Sequence, residues 1–373
     1  MARARGLFVI AVDRDPSAPG FAYADRRAIV STEDERGIDR LARAERVDGL
    51  IAPGIDFPVA IAARVAASLG LPHPLSPEAA VLVTNKQRQR ERFAEKGVPQ
   101  PSSQVLDSGG EAVELPCVVK APDRQGQRGL ALVREQAELG PAIEAARAAS
   151  RSGHVLVEEL VEGPEVTVNA FSVDGDFFPL TVTDRLTAEP PAFGVALAHV
   201  WPSVYETAAE VAKQAADALE VRDGPTYTQV RIGSGGPRVI ELAARLGGGH
   251  DAELCEAALG VDLNGLALAV ALGQPAEGPR SHARVGGACV RFVIAREGTL
   301  EAVHGLDDAE AVEGVLWARA YRRPGHVFGP LRIGSDRAGA LLAVGSTRDE
   351  ALARAADAAS RVRFDVVDAG VAV

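Results

Sequence analysis

The sequence predicts a mixed α/β and α+β chain in three parts: an N-terminal parallel α/β unit, a central α+β region of hairpins, and a β-rich part that completes the C-terminal end. Three observations lead there. Residues 1–83 alternate strand-like runs with amphipathic helical stretches, the rhythm of a parallel sheet whose ligand loops lie at the carboxyl ends of its strands. From residue 84 the texture changes to a polar helix and then to strands separated by glycine-rich turns. Beyond a proline-rich exit near residue 275, two further strand-like runs precede a final helix.

In the first part, LFVIAV (7–12) and GLIAPG (49–54) are the strand-like runs, PVAIAARVAASLG (58–70) is a helix, and Asp13 and Asp56 stand at the strand ends. Residues 2–6 read as the tail of a helix, so the rhythm begins without its first strand. No GxGxxG is present to mark a dinucleotide site. The second part, 84–275, opens with TNKQRQRERFAEKGVPQP, a helix closed by Gly97 and Pro99. Hairpins follow to about residue 250, and GVDLNGLALAVALGQPAEGP supplies a helix with its exit. In the third part, 276–373, GACVRFVIA and GALLAVGS read as strands and RDEALARAADAASRVR as a helix. There is no short-period repeat and no low-complexity tract.

Composition narrows the function. A net charge of -11 with no offsetting basic run argues against nucleic acid and anionic membrane surfaces as partners. The three cysteines, Cys117, Cys255 and Cys289, show neither metal nor CxxC spacing, which suits buried thiols in a reducing compartment, the cytoplasm. The apolar run near the N-terminus meets Asp13-Arg14-Asp15 rather than a cleavage site and is read as a strand.

Chemistry concentrates in three stretches. In PCVVKAPDRQGQRG (116–129) a strand delivers Lys120, one of only four lysines, to a loop that carries Gly126 and Gly129; a compact ammonium beside backbone N–H groups suits phosphate oxygens. In HVLVEELVEGPEVTVNAF (154–171), Glu158, Glu159 and Glu165 flank a Gly-Pro turn. Carboxylates so spaced bracket a nucleoside or simply decorate a hairpin. In TYTQVRIGSGGPRVIELAARLGGGH (226–250) two strands flank a turn-rich loop of about five residues. Register symmetric about Gly235 sets Gln229 opposite Glu241 on one face, an amide and a carboxylate of the kind that serve Mg²⁺. Arg245 and Gly247–Gly249 follow, a fixed cation beside backbone donors that suit an oxyanion.

Taken in order, these stretches resemble the ATP-grasp superfamily, and within it the carboxylate–amine ligases of the L-amino-acid (dipeptide) ligase type. The resemblance runs from residue 7 into the C-terminal part and implies an ATP-grasp architecture, with a pre-ATP-grasp domain (1–83), an ATP-grasp domain (84–275, lid lobe about 115–165) and a completing C-terminal part (276–373). It implies ATP and Mg²⁺, with Mn²⁺ as a substitute, and small carboxylate and amine substrates; homodimers are common among such proteins. Lys86 and Lys120 match the lysines on ATP phosphates, and residues 123–129, with Gly126 and Gly129, match the lid. Glu158 and Glu165 match acids around adenine and ribose, with the backbone of Glu159 to Val161 at the base. Gln229 and Glu241 match the metal ligands, Arg245 the arginine at the transferred phosphate, and His199 a substrate-site histidine.

Three departures accompany the match: Gln229 replaces an acidic ligand, Ala243 an asparagine, and Ala196 a glutamate three residues before His199. Specificity is expected from Asp184, His199 and the 185–198 loop. The alternatives are a purine-synthesis type of ATP-grasp enzyme, which needs a basic phosphosugar pocket in the first part, and a degenerate ATP-binding protein.

Overall fold

A computed structural model describes residues 1–106 and 113–368. In the N-terminal unit, β1 (Ile10–Asp13) and β2 (Arg26–Ile29) pair in parallel, followed by α1 (Glu35–Glu45) and α2 (Asp56–Leu69). Asp34 caps α1 by accepting from the Gly37 amide. The run 49–54, expected as a strand, joins no sheet. It and residues 7–13 both line a largely apolar slot that Ile61 also lines, and its backbone has no neighbouring ladder to bond. Strand β2, Arg-Arg-Ala-Ile and largely exposed, was not legible as a strand because it lacks apolar alternation.

Helices α3 (Pro77–Val83) and α4 (Lys86–Lys96) lead onward, capped by the Ser76 and Asn85 side chains. Gly97 ends α4 in the left-handed region, as expected. The lid lobe comprises β3 (Ser103–Leu106), β4 (Cys117–Lys120), β5 (Leu130–Val133), α5 (Gln136–Ala149) and β6 (Val155–Glu159). Its antiparallel sheet runs β3-β6-β4-β5 over its own core of Leu106, Val119, Val133, Ala146 and Val157.

The central sheet is built first from β7 (Glu165–Val173), β8 (Asp176–Thr187), β9 (Ala196–Trp201), β10 (Gly224–Gly233) and β11 (Gly236–Ala243), with α6 (Ala208–Ala218) on one face. After α7 (Asp251–Leu259) and α8 (Leu263–Ala271) come β12 (Gly287–Val293), β13 (Gly298–His304), α9 (Leu306–Glu310), β14 (Val315–Ala320), β15 (Val327–Phe328), β16 (Gly339–Gly345), α10 (Arg348–Arg361) and β17 (Arg363–Val367). The eight-stranded order is β11-β10-β7-β8-β9-β12-β16-β14, with β15-β13-β17 as a small separate sheet. The boundary expected at 275/276 is therefore crossed by the sheet, since β9 pairs directly with β12. No single helix among the described residues is long and apolar enough to cross a membrane.

Alternation along these strands separates two faces. Val166, Val168, Val230, Val239 and Leu242 pack against the alanines of α6, among them Ala208, Ala212 and Ala215. The other face carries Glu165, Thr167 and Asn169 on β7, Thr183 and Arg185 on β8, His199 on β9, Tyr227, Gln229 and Arg231 on β10, and Glu241 on β11. A buried sheet with one polar face has a use for it.

Candidate functional site

The polar face and the lid lobe line a common cleft. Ten of the twelve expected site residues line it: Lys86, Lys120, Gly126, Glu158, Glu159, Val161, Glu165, Gln229, Glu241 and Arg245. Helix α4 brings in Lys86 at its first turn, and β4 and β6 bring Lys120 and Glu158 side by side.

Most of the charges that the β-sheet and α4 bring to the cleft are paired with opposite ones; the lid arginines Arg124 and Arg128 line it without an ion pair among the described residues. Lys86 Nζ lies 2.8 Å from Glu241 Oε1 and donates to the Arg124 carbonyl of the lid at 2.7 Å. Glu158, only 3% exposed, sits between Lys120 at 2.6 Å and Arg90 at 2.7 Å. Burial alone would raise its carboxyl, but Arg90 and Lys120 together hold it below the ordinary range. Burial brings the Lys120 ammonium down to about 8 against the pull of Glu158, and the neighbouring Arg90 and Lys86 add to the fall. Glu165 faces Arg185 at 2.5 Å and Arg231 at 3.1 Å. Arg245 donates through Nε to Asp56 at 2.6 Å and through Nη1 to the Leu246 carbonyl, with Tyr227 beneath it. Burial opposes its charge, and Asp56 more than restores it. Glu159 is exposed and joins Arg238 and Ser102.

Gln229 does stand opposite Glu241, although by a different route from the one expected. Gly233 pairs with Gly236 across a two-residue turn rather than a five-residue loop, and an irregularity after Gln229 shifts the register by one. One carboxylate and one amide oxygen are hard donors that fit Mg²⁺, which draws most of its shell from water and phosphate. No cluster of three or more His, Cys, Asp or Glu side chains forms a metal cage among the described residues.

Some expected residues are elsewhere. Gly129 has a positive φ and packs against α5, where an added Cβ would lie 2.7 Å from the Ala149 methyl; it closes the hairpin and does not reach the cleft. His199 does not line the cleft either. It is buried, its Nδ1 3.3 Å from Asp251 Oδ1, and an added Cβ on Gly249 would sit 2.6 Å from its Nε2. Burial would raise Asp251, but His199 and the Gly249 and Asn169 donors bring it to about 2. The Gly249 amide donates to Asp251, so it is already satisfied and does not face an oxyanion. Asp184 is on the opposite face, joined to Ser203 and Arg348.

Sequence reasoning did not reach Arg90, Arg231 or the Asp56–Arg245 pair, and it reached Arg185 and Phe193 only as members of the 185–198 loop. Arg90 was accessible, since it lies one helical turn after Lys86 on α4. Arg185 needed the β7–β8 register, and Asp56 joins a residue 189 positions away, which no local pattern encodes. Of residues 185–198, Arg185, Phe193 and Gly194 wall the cleft. Lid residue Gln127 meets the C-terminal part, accepting from the Gly334 amide at 3.2 Å.

Comparison with known proteins bears on the family and the fold. A family model described as an ATP-grasp domain matches residues 113–253, and one described as L-amino acid ligase C-terminal domain 2 matches residues 291–367. A formate-dependent phosphoribosylglycinamide formyltransferase of Burkholderia thailandensis is 30% identical over 96% of this chain and 90% of its own length. An uncharacterized protein of Sinorhizobium fredii is 29% identical over 92% of this chain and 75% of its own. Among solved structures, an L-amino acid ligase from Bacillus licheniformis has a TM-score of 0.84 at 22% identity, covering 98% of this chain and 94% of that one.

Proposed function

Because this chain belongs to the ATP-grasp superfamily, among its ATP-dependent carboxylate–amine ligases, we propose that it phosphorylates an amino-acid-like carboxylate with ATP and couples the acyl phosphate to an amine. ADP and phosphate are released and an amide bond is formed. The observation that carries this reading is the convergence of Lys86, Lys120 and Arg245 with Glu241 and Gln229 in one cleft.

A carboxylate is a poor electrophile, and activating it brings three anions together, so catalysis consists mainly of positioning and charge neutralisation. Lys86 exchanges Glu241 for an arriving phosphate. Glu158, itself fixed by Arg90, holds Lys120 in place beneath the lid. Asp56 fixes Arg245 by its Nε, which leaves Nη2 available to the transferred group. The Glu159–Val161 backbone and Glu165 form the nucleoside end. Mg²⁺, which ATP-grasp enzymes use with ATP, would be held by Glu241 and Gln229 and would neutralise charge on the phosphoryl oxygens. The lid, tied down through Gln127 and Gly334, keeps water from the acyl phosphate. Bringing both substrates into one closed site supplies effective molarities of about 10⁵ M or more.

A purine-type reaction is the second reading, favoured by the Burkholderia relative. Against it, the large slot of the N-terminal unit is walled mostly by apolar residues such as Phe8, Val9, Ile10, Ile51 and Ile61, with Arg46 as its one basic side chain beside the acids Asp13, Glu45 and Asp48, which is not the basic pocket that a phosphosugar calls for. The test is ADP release with Mg²⁺ and ATP over a panel of amino acids and small carboxylic acids, with hydroxylamine trapping the acyl phosphate as a hydroxamate. One acid should yield a hydroxamate, and Glu241→Ala should lower that yield by about 10² or more. A panel without hydroxamate, in a protein that still binds ATP, would overturn the reading.

A further inference from the structure

Apart from the lid arginines, the cations of the cleft discussed above each face a carboxylate; Arg337 does not. It stands between the 3-10 turn Gly334–Asp336 and β16. Its guanidinium lies 3.6 Å from the Phe292 ring centroid, Nε donates to the Gly334 carbonyl at 2.6 Å, and Nη1 reaches only the Ala196 carbonyl at 3.5 Å. No carboxylate among the described residues forms an ion pair with it, and its Nη2 has no hydrogen-bond partner there. Burial, with Arg185 adding to it, lowers its pKa, and Tyr321, Tyr227 and the more distant Asp251 only partly oppose this. The neighbouring Arg185, 7% exposed, has a buried Nε without a partner. A cation held by stacking and two backbone carbonyls, partly desolvated and without an ion-paired acid, has geometry to spare for a carboxylate. The glutamate expected at 196 would have given this corner an internal acid; Ala196 gives it none.

Beside it runs a second chain of groups. The Tyr321 hydroxyl lies 2.6 Å from His250 Nε2, and His250 Nδ1 lies 3.3 Å from Glu253 Oε1. Glu253 favours the Nδ1–H tautomer, leaving Nε2 to accept from Tyr321. The Tyr321 hydroxyl is pushed up to about 12, chiefly by burial, so it gives up its proton only as it takes another. The charged groups facing this chain are Glu253 on α7, Arg319 on β14, Arg322 after it, and Arg337 before β16.

We propose that this corner is the subsite of the amine-bearing substrate: Arg337 receives its α-carboxylate, and Tyr321, His250 and Glu253 relay away the proton of its ammonium. The subsite rests on the ligase reading above. The ammonium proton passes to Tyr321 Oη as the phenol proton moves to His250 Nε2, and Glu253 balances the imidazolium. The free amine attacks the acyl carbon; the C–N bond forms, the C–O bond to phosphate breaks, and phosphate leaves with that electron pair and the second nitrogen proton.

Once hydroxamate trapping has identified the electrophile, the common α-amino acids are compared as acceptors, each against its own α-amide. Wild type should prefer the free acid in kcat/KM by about tenfold or more for the amino acid it uses best, and Arg337→Ala should reduce the preference to about twofold, mainly through KM, with Arg337→Lys recovering part. Tyr321→Phe should lower the amide-to-hydroxamate ratio by about tenfold or more through kcat. Hydroxylamine is already neutral and carries no carboxylate, so it bypasses both devices. The subsite is overturned if wild type couples the amides as well as the acids, which needs no variant to fold, or if Arg337→Ala lowers amide and hydroxamate in proportion. Wild type that yields no hydroxamate fails the ligase reading itself, a different result.

Discussion

The cleft and the corner around Arg337 lie within one molecule and handle charge in opposite ways. In the cleft, Lys86, Arg90, Lys120, Arg185, Arg231 and Arg245 each have a carboxylate, at 2.5 to 3.1 Å. In the corner, Arg337 has an aromatic ring and two carbonyls. Pairing in advance keeps geometry intact while a site is empty, and it makes an arriving polyanion compete with internal acids. A cation without an acid keeps its affinity for the ligand. The first arrangement suits a nucleotide that brings its own metal; the second suits a small acid that brings only one carboxylate.

The sharpest way to break this contrast is through stability. Glu158→Gln leaves Lys120 and Arg90 buried without their shared acid and should cost about 3–5 kcal/mol in denaturant unfolding. Arg337→Ala removes no ion pair and should cost less than about 2 kcal/mol, the scale of its aromatic contact. Equal losses would mean that the corner is as structural as the cleft.

A smaller effect comes from pH. The Lys120 ammonium, at about 8 in the folded protein against an ordinary 10.5, is protonated in the unfolded chain but not in the folded one between those values. Its contribution to stability therefore rises with pH across that window. ATP binding favours the ammonium, so ATP affinity should fall as pH rises through about 8, by up to about tenfold per unit. Titration calorimetry from pH 7 to 9.5 measures this; flat affinity would place the charge elsewhere.

Much of the cleft was legible because its residues fall in short runs with strong local grammar. PCVVK ends a strand on its lysine, VEELVEGPE alternates through a turn, and the β10–β11 hairpin faces Gln229 with Glu241. Even there, the match depended on a two-residue turn and a shifted register that offset each other. What sequence did not reveal is non-local. Asp56 anchors Arg245 across 189 positions, and Glu158 and Glu165, read from sequence as ligand contacts, each also hold two cations that the sequence did not name as their partners. His199 looked like a site residue by position in a motif, yet the triglycine turn and Asp251 enclose it. The run 49–54 has strand composition but no neighbour to pair with, and a strand is defined by its neighbour. Arg337 offered no signal at all, since an unpaired cation is visible only once every possible partner has been located.

The most direct test of the central claim, that this cleft joins substrate carboxylate to ATP phosphate, is the fate of oxygen. With the activated acid labelled in its carboxylate by ¹⁸O, and with Mg²⁺, ATP and the amine supplied, the account expects one labelled oxygen to appear in the released phosphate, carried there when the acyl phosphate is cleaved. Amide formed while the phosphate remains unlabelled would contradict it.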